Sequence, residues 1–268
     1  MRLLAARAAG RATRVAYRMS GRRGDGVAIR GDVMLRVDPR ALEKLTAKRR
    51  TVLVTGTNGK TTTTYLLAAA LGEGVAFTYA GANMANGMVA ALADMPGASA
   101  VLETEELHFA AICERVSPEV VVVLNLSRDQ LDRSHEVARV AETWQSALAR
   151  SGAIVVANCA DPYVVSAVPA ERTVWFDPGI RWIEDARTCL ECGALISWDD
   201  DVWGCSCGRA MPRPSYWVRD GQLRSSDGLA IEMELGVPGS FNLGNAAAAA
   251  AAAQVLGVRV TEELARMS

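Results

Sequence analysis

One run constrains the fold of this chain more than any other. The apolar, β-branched stretch Thr51-Val52-Leu53-Val54 enters Thr55-Gly56-Thr57-Asn58-Gly59-Lys60-Thr61 and continues into a helix-like segment from Thr62 to Leu71. Strand, glycine-rich turn and helix in that order predict a parallel α/β sheet with a phosphate-binding turn at a strand end. Gly56 and Gly59 let backbone amides approach a phosphate, and the helix that follows presents its positive N-terminus to it. Lys60 adds a movable positive charge, and Thr61 stands where a hydroxyl reaches magnesium. Val54 occupies the place of the first glycine in the wider G-x-x-x-x-G-K-[ST] pattern, so that pattern is matched only in part. A glycine turn capped by threonine is the plain alternative, but the strand placement and the Gly59-Lys60-Thr61 order favour nucleotide binding. The loop does not distinguish adenosine from guanosine.

The rest of the chain repeats the alternation. Apolar strands are predicted at 75–79, 100–103, 120–125 and 153–157, and helices at 86–94, 105–116 and 136–149. Strands separated by helix-length spans predict an α/β domain with a three-layer, mostly parallel sheet. With 268 residues, half of them hydrophobic, the chain can fill such a core. Residues 1–46 read as a basic N-terminal arm and short lead-in, and 47–268 as the nucleotide-binding domain. A composition shift over 180–219, rich in cysteine, tryptophan and turn residues, predicts a separately folding insertion before a helix over 241–256.

Twenty-nine basic and thirty acidic residues leave a formal charge of -1, which gives no argument for a polyanionic partner, and no nucleic acid is expected. The balance hides an asymmetry. Arg2, Arg7, Arg11, Arg14, Arg18, Arg22 and Arg23 all precede the first acidic residue, Asp25. Apolar residues lie among them, so this stretch reads either as an amphipathic helix in peripheral contact with an anionic membrane or a partner, or as a solvated arginine-rich helix. No segment reaches 18 uninterrupted apolar residues, and the expectation is a non-spanning cytoplasmic protein, at the inner face of the membrane if the arm binds there.

Four of six cysteines cluster as Cys189-Leu190-Glu191-Cys192 and Cys205-Ser206-Cys207. Four thiolates with turns at Gly193, Gly204 and Gly208 predict a structural zinc ion; two disulfides or reduced thiols are the alternative. Trp182, Trp198, Trp203 and Trp217 then cover the small core of this insertion, a nucleic-acid-binding ribbon being the weaker reading. Cys113 and Cys159 read as buried side chains, and His108 and His135 as packing or surface residues.

The string Thr55-Gly56-Thr57-Asn58-Gly59-Lys60-Thr61-Thr62 resembles the ATP-binding loop of the Mur ligase and folylpolyglutamate synthase superfamily. Asn158-Cys159-Ala160-Asp161-Pro162 and Gly239-Ser240-Phe241-Asn242-Leu243-Gly244-Asn245 follow in that superfamily's order. Gly81-Ala82-Asn83, Leu102-Glu103-Thr104-Glu105-Glu106, the string from Asn125 to Arg133 and the cysteine insertion further resemble the MurT branch, the ligase-like subunits of lipid II isoglutaminyl synthase. The resemblance implies a central domain of Mur ligase type with a zinc-ribbon-like insertion, and no C-terminal ligase domain within these residues. It implies that a glutamate carboxylate of lipid II is phosphorylated by ATP and that ammonia from a glutamine amidotransferase subunit of the GatD kind displaces the phosphate.

Carried onto this chain, the resemblance makes Lys60 and Glu103 catalytic, and Thr61 and Glu103 ligands of Mg2+. It makes the loop from Thr55 to Thr62, with Asp161, Asn242 and Asn245, the ATP site. Asn83, Asn125, Arg128, Asp129, Asp132 and Arg133 form a substrate or nucleotide loop, and Cys189, Cys192, Cys205 and Cys207 hold Zn2+. Asp161, Asn242 and Asn245 read equally well as helix caps. The second cysteine pair is C-x-C where the branch usually has C-x-x-C. Murein ligases generally use a carbamoylated lysine downstream of the loop, and this chain has lysine only at 44, 48 and 60, which favours amidation. Two alternatives stay open: another amino-acid ligase of the superfamily, or a non-catalytic nucleotide-binding scaffold.

Overall fold

The computed structural model describes residues 1–20, 26–79, 81–127, 134–181, 183, 186–233, 235–236 and 239–259, and for 134–136 the backbone alone. In chain order the elements are α1 (Arg2–Met19), α2 (Val27–Val37), α3 (Ala41–Thr46), β1 (Arg50–Thr55), α4 (Lys60–Leu71), β2 (Val75–Phe77), α5 (Ala85–Asp94), β3 (Ser99–Glu103), α6 (Phe109–Val116), β4 (Val120–Val123), α7 (Ser134–Ser151), β5 (Ile154–Asn158), α8 (Pro162–Ala167), β6 (Thr173–Asp177), β7 (Ser197–Asp199), β8 (Val202–Gly204), β9 (Tyr216–Arg219), β10 (Gln222–Ser225), β11 (Ala230–Glu232) and α9 (Phe241–Val255).

Nine strands form one sheet in the order β11-β10-β9-β6-β5-β4-β1-β3-β2. The pairings from β2 through to β9 are parallel, and β9, β10 and β11 pair antiparallel, so the sheet is mixed. The central strands are buried on both faces, and their side chains alternate between two cores as strand geometry requires. Leu53, Val121, Val123, Val155 and Ala157 face one core with α5, α6 and α7. Val52, Val54, Val120, Val122 and Val156 face the other with α4 and α9. Every alanine from Ala246 to Ala253 is buried, so this stretch of α9 is apolar on all sides because it is covered on all sides. Small side chains let it approach closely: a Cβ on Gly244 would lie 2.6 Å from Pro178 Cβ.

The order of the strands positions the site. β1 lies between β3 and β4: the chain runs from β1 out to β2, returns to β3 and then crosses to β4 on the other side of β1, and such a reversal opens a crevice at the carboxyl ends of the strands. The loops after β1, β3 and β4 therefore meet at one place.

The basic arm is docked on α5. Buried Arg30 of α2 donates to Ala90 O at 3.0 Å and pairs with Asp94 at 2.7 Å. Gly10 of α1 lies against Met34, and a Cβ on Gly31 would stand 1.9 Å from the Asn86 carbonyl oxygen. Backbone cannot yield as a side chain tip does, so Gly31→Ala is expected to destabilise the chain by about 1–3 kcal/mol, read as a lower denaturant midpoint with an unchanged slope. A neutral result would show that α2 and α5 are less closely apposed.

Candidate functional site

The loop between β1 and α4 is held by the loop after β4. Asn125 accepts from the Asn58 amide at 2.8 Å and donates to Asn58 O at 3.0 Å, and Thr57 N donates to Asn125 O at 3.0 Å. The Ser127 amide donates to Thr57 Oγ1 at 3.0 Å. Gly56 and Gly59 both have positive φ, +143° and +86°, and Gly59 ends the loop as the residue before α4. No side chain caps α4 and its first turn carries no acid, so its leading amides keep the positive end of the helix dipole available to an anion. Lys60 Nζ donates to Gly56 O at 2.6 Å and Thr57 O at 3.0 Å, and lies 3.5 Å from Glu106.

Glu103 ends β3 with its carboxylate buried, and Thr61 Oγ1 donates to it at 2.8 Å. A carboxylate taken out of water needs a counter-charge, and a hydroxyl beside it supplies a second hard oxygen, the donor set that magnesium prefers. Thr61 and Glu103 therefore fit a hard cation. Trp144 Nε1 donates to Glu106 O at 3.0 Å, which fixes the turn carrying Glu105 and Glu106 to α7. Glu106 so joins Lys60 at the loop.

Beside the loop lies a cleft of about 560 Å³, polar where Asn58, Asn125 and Asn245 line it and apolar at Phe176, Pro178 and Phe241. Asn245 Nδ2 donates to Asn242 Oδ1 at 3.0 Å, and a Cβ on Gly59 would lie 2.3 Å from Asn245 Oδ1. The start of α9 thus leans directly on the loop. Asp161 accepts from the Tyr163 and Val164 amides, as the cap of α8, and from the Leu126 amide at 2.8 Å. Its carboxylate holds the loop after β4 in place through backbone.

Asn83 meets this region through its main chain, its carbonyl accepting from the Glu105 amide at 3.2 Å. His108 is the exposed residue before α6, 2.6 Å from Glu105, a surface position. Arg128, Asp129, Asp132 and Arg133 lie outside the described residues, as do Trp182 and the side chain of His135. The apolar wall of the cleft, Phe176, Pro178 and Phe241, was not singled out from sequence. Its signal was the apolar end of β6, whose neighbour β5 leads into the Asn158 loop.

The sulfur atoms of Cys189, Cys192, Cys205 and Cys207 all lie within 4.8 Å of one another, with Cys192 and Cys205 3.4 Å apart and Cys189 and Cys207 3.8 Å apart. A zinc tetrahedron with Zn–S bonds of about 2.3 Å has edges of about 3.8 Å, so the donor set fits that ion. Each pair sits on a turn. Gly193 N donates to Cys189 O and Gly208 N to Cys205 O, both glycines having positive φ, and the short C-x-C spacing still brings Cys207 into the cluster. The Cys207 amide draws the Cys205 thiol down to about 7. The Ala194 amide acts to lower the Cys192 thiol too, but the neighbouring Cys205 drives it up to about 12. One proton shared between adjacent sulfurs is what a metal displaces.

Burial raises the Cys113 thiol to about 11 and raises Cys159 as well. Alkylation of the native, metal-free chain is therefore expected at Cys205, partly exposed and with its thiol drawn down, and at exposed Cys207, and not at Cys113 or Cys159. One equivalent of zinc should protect the reactive pair. Labelling unaffected by zinc would remove the cluster as a metal site. The unit is packed on the domain: Trp203 is buried and donates to Cys159 O at 2.9 Å, beside Asn158 of the cleft.

Residues 54–176 match the Mur ligase middle domain. The chain is 28% identical over 270 residues to the MurT subunit of lipid II isoglutaminyl synthase (glutamine-hydrolyzing) of Staphylococcus aureus strain N315, covering 91% of this chain and 61% of that one. It is 32% identical over 212 residues to the UDP-N-acetylmuramoylalanine--D-glutamate ligase of Pelotomaculum thermopropionicum, covering 77% of this chain and 41% of the relative. Among solved structures, a pseudomurein peptide ligase type C from Methanothermus fervidus superposes with a TM-score of 0.66 at 26% identity, over 83% of this chain and 49% of that one. MurF ligase from Thermotoga maritima, in complex with ADP, shares the fold with a TM-score of 0.60 at 23% identity, over 88% of this chain and 51% of that one. The chain spans about three fifths of the length of its MurT relatives. It is a homologue of the Mur ligase superfamily, built around that superfamily's middle domain.

Proposed function

We propose that this chain is the ATP-binding part of a MurT-type ligase that amidates the glutamate carboxylate of lipid II to D-isoglutamine through an acyl phosphate. The observation that carries the reading is the convergence of Lys60, the uncapped start of α4, Thr61 and buried Glu103 at one crevice. ATP occupies the loop from Thr55 to Thr62 and the cleft beside it, where Asn242 and Asn245 border the nucleotide. Lys60 exchanges its loop carbonyls for phosphate oxygens, and the α4 amides stabilise charge on the transferring group. Thr61 and Glu103 hold Mg2+, which when bound neutralises charge between phosphate and carboxylate. Asp161 and Asn125 act by fixing loops. Asn83, Arg128, Asp129, Asp132 and Arg133 belong to the substrate side, and the four cysteines hold structural Zn2+.

Ammonia comes from a glutamine amidotransferase subunit of the GatD kind. The absence of any lysine after Lys60 favours amidation over amino-acid addition, in which a carbamoylated lysine generally assists the metal. Mixing the chain in its full-length protein with that subunit, lipid II, glutamine and ATP is expected to give one ADP and one amide per turnover. ADP release that ammonia or glutamine does not stimulate, but a free amino acid does, would move the chain to the amino-acid-adding ligases.

A further inference from the structure

The outer face of α1 has the wrong chemistry for a solvated helix. Successive residues of a helix turn by about 100°, so Leu4, Ala8, Ala12, Val15 and Met19 fall on one stripe, and all five are exposed. Leu4, Val15 and Met19 are 71%, 57% and 83% accessible. The inward face is already used: Ala6 and Gly10 are buried, and Gly10 seats on Met34. The apolar stripe is thus a second apolar face, additional to the one that docks the helix. Along one border of it run Arg7, Arg11, Arg14 and Arg18, at the same helical spacing, and α1 contains no acidic residue. Arg11 is exposed, whereas Arg14 bonds Asp94 at 3.2 Å and faces the domain.

We propose that α1 is a membrane-surface helix whose outer face lies on an anionic lipid surface. Leu4, Val15 and Met19 enter the boundary between headgroups and acyl chains, and Arg11 meets lipid phosphate. Charge complementarity selects this occupant. α1 carries five arginines and no acidic residue, so a second copy of the same face would bring like charge against like, whereas an anionic bilayer answers both the apolar stripe and the cationic border. Among the described residues no helix is long and apolar enough to cross a membrane, so the contact is peripheral. The inference does not rest on the ligase reading, and its test uses no nucleotide.

The test is co-sedimentation of the full chain with vesicles of phosphatidylcholine, alone or containing phosphatidylglycerol. Binding is expected only with phosphatidylglycerol present, and it weakens as salt rises. Arg11→Ala should reduce partitioning about fivefold. Val15→Asp with Met19→Asp should reduce it at least about tenfold. These positions are exposed, so thermal unfolding should not change. Equal binding to neutral vesicles, or variants that bind like the parent, would overturn the proposal. So would self-association that the same substitutions abolish in a chain that ignores vesicles.

Discussion

Replacing Lys60 with alanine is expected to lower ATP-dependent turnover by about a hundredfold to a thousandfold while leaving the domain folded. The ammonium has three partners, the carbonyls of Gly56 and Thr57 and the more distant Glu106 carboxylate, all at the loop itself. None belongs to either core, so stability should fall by only about 1 kcal/mol. At the reaction centre the consequence differs. Charge on a transferring phosphoryl group is greatest in the transition state, and a positioned cation there acts on the rate more than on ground-state binding. The measurement is kcat for ADP release alongside a denaturation curve. Near-parental turnover would show that Lys60 is not at the phosphate.

Gly59→Ala is the second large effect, and it arises from two independent costs. At φ +86° an alanine is strained, and its Cβ would lie 2.3 Å from Asn245 Oδ1. Asn245 cannot simply turn aside, because its amide nitrogen donates to Asn242. The two together should cost about 2–4 kcal/mol and weaken nucleotide binding at least about tenfold. A double-mutant cycle separates them: adding Asn245→Ala to Gly59→Ala should recover the part due to the clash and leave the part due to backbone strain. Strict additivity of the two substitutions would mean that α9 does not bear on the loop.

These two residues also mark what the amino-acid order makes visible. The β1, loop and α4 unit is local, and its glycines, lysine and threonine announce it without reference to the rest of the chain. The valines of β4 read correctly as a strand, and Asp161-Pro162 reads as a helix start, which the capping of α8 bears out. Contacts between distant residues are not written in any local pattern. Asn125 binds Asn58, and Asn245 abuts Gly59, because strand order brings three separate loops to one crevice. The helix expected from Glu105 begins instead at Phe109, since the preceding turn is held by the Trp144 indole on the Glu106 carbonyl. Tyr216–Arg219, within the range expected of the cysteine insertion, is a strand of the main sheet paired to β6. Three- and four-residue strands such as β9, β10 and β11 are too short for alternation to distinguish them from loop.

The arginine-rich start shows the same division. Its charge was plain from composition, but that its apolar residues serve two faces, one seated on α2 and one open, follows only from the packing of Gly10 against Met34. The C-x-C pair likewise departs from the spacing usual in the MurT branch, and only the turn at Gly208 shows how Cys207 comes to lie beside Cys189.

The central claim is that the crevice at the ends of β1, β3 and β4 seats a nucleotide and its metal. Calorimetric titration of this chain with a non-hydrolysable ATP analogue, with and without magnesium, tests it most directly. The account predicts one nucleotide per chain, tighter with magnesium, and loss of that magnesium dependence in Glu103→Gln. Absence of binding, or binding that magnesium and Glu103→Gln leave unchanged, would contradict it.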